Sequence, residues 1–318
     1  MITATEKCWA QTAGLQVKEA LKRHDRWPAI HKRGALVTAR TCYRSRTIPT
    51  HFRMRVVPTS VGSRRLLSTP GKGRPLLILP GLYARINEGL FLDLAEQARK
   101  ALGRPISLLE DRFAPGTLRL NPPRIPTIRE LGREVGDIAR GPIRGQDDAR
   151  PDLLALSAGA AWGLAAPEGT FAKAAVWSSA LQPQAVLSWI RRNPPLEWYF
   201  KRLHQRSFRE GGVSPIGMKQ FSEAISRDCP SFEPKHPLLA VHANDDPIAP
   251  AHSLKFGSSR TLFVCLVGTG GHLGFGELAG NGVYLLPFKS LRAGTALSRN
   301  RPTMDKPSNR SPPRPSPI

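Results

Sequence analysis

The sequence predicts an α/β fold: a mainly parallel central sheet covered by helices on both faces, with a small cap insertion. Three observations lead there. Short apolar runs bounded by turn residues recur along the chain, at Leu76–Leu79, Ile106–Leu109, Leu153–Leu156, Ala174–Trp177, Leu238–Ala243 and Thr261–Val267. Helix-period or mixed stretches separate them, which is the rhythm of parallel strands joined by crossovers. Residues with reactive side chains follow three of the runs: Ser157 directly, Asp246 three residues after Ala243, and His272 five residues after Val267. Open α/β sheets carry their ligands at strand C-terminal ends.

Taken in order, Phe52–Val57 and Arg64–Leu67 read as a first pair of edge strands. The run Leu76-Leu77-Ile78-Leu79 closes on Pro80-Gly81, a buried strand ending in a turn. From Asn87 to Leu102, Leu90, Phe91, Leu94, Ala98 and Ala101 fall at helical spacing, and Asn87 is placed to cap that helix. The next strand, Ile106–Leu109, ends in Glu110-Asp111-Arg112. After a proline-rich loop, Thr127 with Glu130 three residues on forms a capping-box pattern. Leu153–Leu156 and Ala174–Trp177 are central strands. The stretch 183–237, with Trp189, Trp198, Tyr199, Phe200 and Phe208, falls where a cap belongs. Val283–Leu291 reads as a closing helix.

The α/β body is therefore assigned to residues 51–292, with the cap at about 183–237. Residues 1–50 form a basic, poorly ordered segment, and 293–318 an Arg/Ser/Pro-rich disordered tail. The net charge of +23 first points to nucleic acid. Its distribution weakens that reading. Residues 1–74 hold 16 Lys/Arg against 3 Asp/Glu, residues 289–318 hold 7 against 1, and residues 75–288 hold 24 against 20. The charge sits in the flanks, which leaves them as candidates for weak contact with anionic membrane or nucleic acid. Arg26 to Asn87 contains no acid at all, so a transit-like leader is a further reading of that end, although Glu6, Glu19 and Asp25 oppose it.

The four cysteines, Cys8, Cys42, Cys229 and Cys265, show no metal-ligand spacing, and Cys265 lies in an apolar run. No metal and no cofactor is expected. The amino terminus lacks the basic-then-apolar order of a secretion signal, and no apolar stretch reaches the roughly 18 residues needed to span a bilayer. The expectation is a cytoplasmic protein, with peripheral membrane association left open by the basic ends. Oligomeric state is not indicated.

Chemistry concentrates in three places. Leu153-Leu154-Ala155-Leu156-Ser157-Ala158-Gly159 is close to the G-x-S-x-G strand-turn-helix elbow, with Ala155 in place of the first glycine. A serine there presents its hydroxyl at the top of a sheet, but a free hydroxyl needs a base to become a nucleophile. His272 follows a strand and sits among glycines that let the loop turn tightly; His242 and His252 are its rivals, His242 being the more suited to the core. Asp246 is the preferred acid to orient the imidazole, because Asp246 and Pro250 have the spacing of an acid turn; Asp245 is its neighbour and rival. The order Ser157, Asp246, His272 is that of α/β-hydrolases. Oxyanion stabilisation needs two backbone N–H groups. Ala158, directly after the serine, is one candidate, and Leu82, in Pro80-Gly81-Leu82-Tyr83, the other. Tyr83 is placed either to line the pocket or to donate a hydrogen bond.

The run LLAVHANDDPIAP followed by GTGGHLGFGE resembles the C-terminal half of the YheT-like α/β-hydrolases, which include bacterial esterase-type proteins and mammalian α/β-hydrolase-domain lipases. The resemblance extends from about Pro75 to Glu277 and is strongest around Asp246 and His272. It implies an α/β-hydrolase fold and serine esterase or lipase activity on acyl esters or lipids, through an acyl-enzyme and without cofactor. Pro80 stands where that family carries histidine before glycine. The stretch Pro-Gly-Leu-Tyr is similar to polyhydroxyalkanoate synthases and depolymerases, which implies a polyester hydrolase as an alternative. A hydrolase-fold binding protein without activity is the alternative from another class.

Overall fold

The computed structural model describes residues 45–121, 124–143, 149–233, 236–243, 246, 248–251, 254, 262–267 and 272. The expected closing helix, the C-terminal tail and all but the last few residues of the basic N-terminal segment lie outside them.

Eight strands form one sheet: β1 (Arg53–Thr59), β2 (Gly62–Ser68), β3 (Leu76–Leu79), β4 (Ile106–Leu109), β5 (Asp152–Leu156), β6 (Ala174–Trp177), β7 (Leu238–Ala243) and β8 (Leu262–Val267). Their order is β1-β2-β4-β3-β5-β6-β7-β8. The hairpin β1–β2 pairs antiparallel at one edge and β2 is antiparallel to β4, whereas every pair from β4 to β8 is parallel. The helices are α1 (Gly89–Leu102), α2 (Pro115–Leu118), α3 (Ile128–Arg140), α4 (Ala158–Leu164), α5 (Pro183–Arg191), α6 (Pro194–Glu210) and α7 (Met218–Ser226).

The central strands are apolar on both sides because both sides are covered. Alternate residues sort them into two cores. Leu77, Leu79, Leu153, Ala155, Ala174, Val176, Leu238 and Ala240 face one core, with Leu131, Val135 and Ile138 of α3 and Phe221 of α7. Leu76, Ile78, Leu154, Leu156, Ala175, Trp177, Leu239 and Val241 face the other, with Phe91, Leu94 and Ala98 of α1. Burying each large apolar side chain contributes about 1.5–3 kcal/mol, and that gain holds the layers together. A one-residue slip in any central strand would exchange its contributions to the two cores.

The chain runs from β3 outward to β4 by way of α1. It then returns through α3 to β5, on the other side of β3, and continues outward to β6. The topological switch lies between β3 and β5, where the crossovers change direction. The predicted capping box of α3 forms: Thr127 accepts from the Glu130 N–H, and Glu130 accepts from the Thr127 N–H at 2.9 Å. The cap of α1 differs from expectation. Its N-cap is Glu88 rather than Asn87, and no side-chain bond caps it. The Asn87 carbonyl instead accepts from the Arg46 N–H, and Glu88 forms a β-bridge with Ser45, so a long-range contact sets where this helix begins. The stretch assigned to the cap becomes α5, α6 and α7, inserted between β6 and β7.

Candidate active site

The elbow follows from local backbone requirements. Ser157 follows β5 and caps the start of α4 with φ 51° and ψ −123°, a strained conformation for a residue with a side chain. Three backbone bonds hold it there. Its N–H donates to the Trp177 carbonyl, and its own carbonyl accepts from Ala160 and Ala180. The turn then runs against β3. A Cβ on Gly159 would lie 2.3 Å from the Pro80 carbonyl oxygen and 2.7 Å from that of Leu79, so only glycine fits. Ala155, in place of the elbow's first glycine, is fully buried in the core shared with α3 and is accommodated there.

Asp246 stands beyond the end of β7 and is buried. Its Oδ1 accepts from the Ile248 and Ala249 N–H groups at 2.9 and 2.8 Å, which ties it into a tight turn. His272, beyond β8, places Nδ1 at 3.0 and 2.9 Å from the two carboxylate oxygens and Nε2 at 2.9 Å from Ser157 Oγ. The three residues singled out from sequence thus meet beyond the C-terminal ends of β5, β7 and β8. A carboxylate can only accept, so Nδ1 carries the imidazole proton and Nε2 is left to accept from the serine hydroxyl.

His242 does not compete for that position. It is buried on β7, and its Nε2 lies 2.6 Å from the Ala249 carbonyl. Burial first, and the neighbouring His272 last, hold its pKa below the ordinary value against the pull of Asp246, so it is neutral and donates through Nε2. Asp245 and His252 lie outside the described residues.

Gly81 passes directly over the elbow. A Cβ at that position would be 3.2 Å from Ser157 Cβ and 3.5 Å from its Oγ. This brings the Leu82 turn and the Ala158 helix start to the same serine. Among the described residues, no hydrogen bond occupies the Leu82 or Ala158 N–H. Tyr83, with φ 64°, points away into the inserted helices. Its hydroxyl is 2.7 Å from His204 Nδ1, and His204 Nε2 is 2.9 Å from the Ile216 carbonyl. The carbonyl fixes the tautomer: Nε2 donates to Ile216 and Nδ1 accepts from the Tyr83 O–H. The Tyr83 hydroxyl is thereby engaged with His204 on α6. The hydroxyl's pKa is raised by burial and by Asp111, so it stays protonated.

Two acids at the end of β4 went unassigned in the sequence. Asp111 accepts from the Tyr83 N–H (2.8 Å), the Phe113 N–H (3.0 Å) and the Trp162 indole N–H (3.3 Å). Glu110 accepts from the Ile86 N–H, the Thr117 hydroxyl and Arg65. Burial pushes Asp111 up to about 6, against the lowering influence of Arg64 and the three N–H bonds. Beside them lies a buried ionic cluster in which Glu134 takes Arg64 at 2.5 Å and Arg112 at 3.2 Å. The signal available in sequence was the acidic pair placed directly after a central strand. No cluster of His, Cys, Asp or Glu suited to a metal ion occurs among the described residues.

Solved structures with the same architecture are numerous. An esterase from Pyrococcus furiosus matches with a TM-score of 0.52 and 11% identity, over 80% of this chain and 98% of that one. A hyperthermophilic esterase from the archaeon Pyrobaculum calidifontis gives 0.52 and 12%, over 84% and 91%. A proline iminopeptidase-related protein from Thermus thermophilus gives 0.51 and 14%, over 76% and 98%. No protein-family model matches the chain, and no curated protein matches it in sequence. The fold is the α/β-hydrolase fold.

Proposed function

We propose that the protein is a serine hydrolase of carboxylic (acyl) esters that works through an acyl-enzyme, without a cofactor. The observation that carries this reading is the continuous hydrogen-bonded path from Ser157 Oγ through His272 to Asp246. Ser157 attacks the ester carbonyl while its proton passes to His272 Nε2. Asp246 holds the imidazole in the tautomer that can accept and stabilises the imidazolium that forms. The Leu82 and Ala158 N–H groups receive the developing oxyanion. His272 then returns the proton to the departing alcohol, and water repeats both steps to release the acid.

Helices α5–α7 act as the cap over this site, with α6 tied to the oxyanion turn through Tyr83. The resemblance around Asp246 and His272 supports a YheT-like esterase or lipase, with acyl esters and lipids as substrates. No described helix is long and apolar enough to cross a membrane. We assign the protein to the cytoplasm, with the basic flanks touching anionic surfaces.

The test is fluorophosphonate labelling of folded protein, read by mass at Ser157, beside turnover of p-nitrophenyl esters from short to long acyl chains. Ser157→Ala should abolish both. A folded wild-type protein that neither labels nor turns over any ester would falsify the reading and leave a hydrolase-fold binding protein in its place.

A further inference from the structure

We propose that the buried carboxylate of Asp111 is a positioning residue that locks together the two backbone segments supplying the oxyanion donors. The proposal rests on the serine-hydrolase reading above.

Asp111 is 1% exposed, and its bonds reach three separate parts of the chain. Oδ2 accepts from Tyr83, in the turn after β3, and from Phe113, at the exit of β4. Oδ1 accepts from the indole of Trp162 on α4. The Asp111 N–H donates back to the Ala84 carbonyl at 3.1 Å. Tyr83 and Ala84 are thus both fastened to one residue, immediately after Leu82. Trp162 lies about one helical turn beyond Ala158, on the helix that carries the second donor. One carboxylate therefore indexes the Leu82 segment against the Ala158 segment.

The choice of carboxylate has a chemical reason. Three N–H donors converge, and an ionised carboxylate is a pure acceptor with capacity for all of them. An amide would accept at one end and turn its NH2 on a donor at the other. Among the described residues Asp111 forms no ion pair, because the nearby Arg64 is engaged by Glu134 and the Glu110 carbonyl. An unpaired charge kept in so dry a place contributes poorly to stability, so its retention points to the turn it holds. That turn also needs holding, since Tyr83 occupies the left-handed region at φ 64°.

The experiment compares wild type, Asp111→Ala, Asp111→Asn and Asp111→Asn/Trp162→Phe. Two readouts are taken: ester kinetics, and amide hydrogen exchange across residues 80–86. Asp111→Ala should lower kcat by about 10²-fold or more, the scale of a misplaced oxyanion donor, with KM moving by no more than roughly threefold. Exchange in the turn should rise while β3 stays protected. In Asp111→Asn the amide oxygen can still serve Tyr83 and Phe113, but its NH2 opposes the indole N–H. Removing that N–H with Trp162→Phe should recover part of the lost kcat, whereas a merely structural role predicts added damage. Unchanged exchange in both single variants overturns the proposal whatever the turnover. Raised exchange with unchanged kcat also overturns it. Raised exchange in a protein whose wild type is inert to every ester and probe would sink the hydrolase reading instead and leave the lock standing. The double variant retains acceptors for both backbone donors, so the comparison survives if Asp111→Ala does not fold.

Discussion

Gly159→Ala tests how tightly the elbow is built. The added Cβ would stand 2.3 Å from the Pro80 carbonyl oxygen and 2.7 Å from the Leu79 carbonyl oxygen. Non-bonded carbon contacts settle at about 3.5–4.0 Å, so the wall must yield by roughly 1 Å. The wall is backbone at the end of a central strand and cannot rotate aside as a side chain would. Overpacking of this kind costs about 1–3 kcal/mol. At about 2–4 °C per kcal/mol for a domain of this size, Tm should fall by roughly 2–12 °C. Catalysis should suffer more than stability, because the displaced elements are α4, which carries Ala158, and the turn that carries Leu82. A shift of about 1 Å between reacting groups costs on the order of 10²-fold in rate. Thermal unfolding and p-nitrophenyl ester kinetics on the same preparation decide the matter. A variant with wild-type Tm and wild-type kcat would refute the reasoning, because it would mean that the close approach of α4 to β3 is not a constraint.

Asp246→Asn should lower kcat by about 10⁴-fold, because an amide facing Nδ1 favours the tautomer in which Nε2 can no longer accept from Ser157; Asp245→Asn should leave turnover within a few-fold, and the reverse pattern in the same assay would exchange their roles. Asp111 makes a prediction about stability against pH. Its folded pKa is about 6 against an ordinary 3.8, so between those values the native state keeps a proton that the unfolded chain has released. Stability therefore falls as pH rises through that window, by about 3 kcal/mol at 1.36 kcal/mol per unit. Urea unfolding of wild type and Asp111→Asn from pH 4 to pH 7 should show wild type losing about that much relative to the variant, and a flat difference would remove the premise.

The strands were legible because each central run is apolar on both faces and closed by a turn residue. The bounds of Ala174–Trp177 and Leu238–Ala243 follow directly from that pattern. Ser157, Asp246 and His272 could be singled out as a candidate site because chemically distinctive residues stood just beyond such runs, and the structure brings them into hydrogen-bond contact. The cap of α1 was not, since Glu88 takes that position through a contact with Ser45, more than forty residues earlier in the chain. Nor was the role of Asp111, whose three donors come from the turn after β3, the exit of β4 and α4. Arg64 shows the same limit. In a strand it reads as an outward-facing charge, yet it is 1% exposed, held by Glu134 on α3 and the Glu110 carbonyl. Pattern reports which face a residue prefers, and only tertiary assembly reports which partners can overrule that preference.

The buried polar groups at the end of β4 divide one task between them. Asp111 fastens Tyr83 and Glu110 fastens Ile86, so successive residues of the strand exit hold the turn after β3 at both ends. Tyr83 adds a third attachment, from its hydroxyl to His204 on α6. The turn thus cannot move without disturbing β4, α4 or the inserted helices. Such over-determination lets a strained backbone persist. It also answers the question raised by Pro80, which stands where the family that the sequence resembles carries histidine. A proline has no N–H to contribute, but its carbonyl closes on Gly159, and the oxyanion donor we propose is the Leu82 N–H, two residues on. What the turn must supply is a fixed direction for that N–H. On the proposed reading, that direction is set by Glu110 and Asp111, just after β4, rather than by the side chain at position 80.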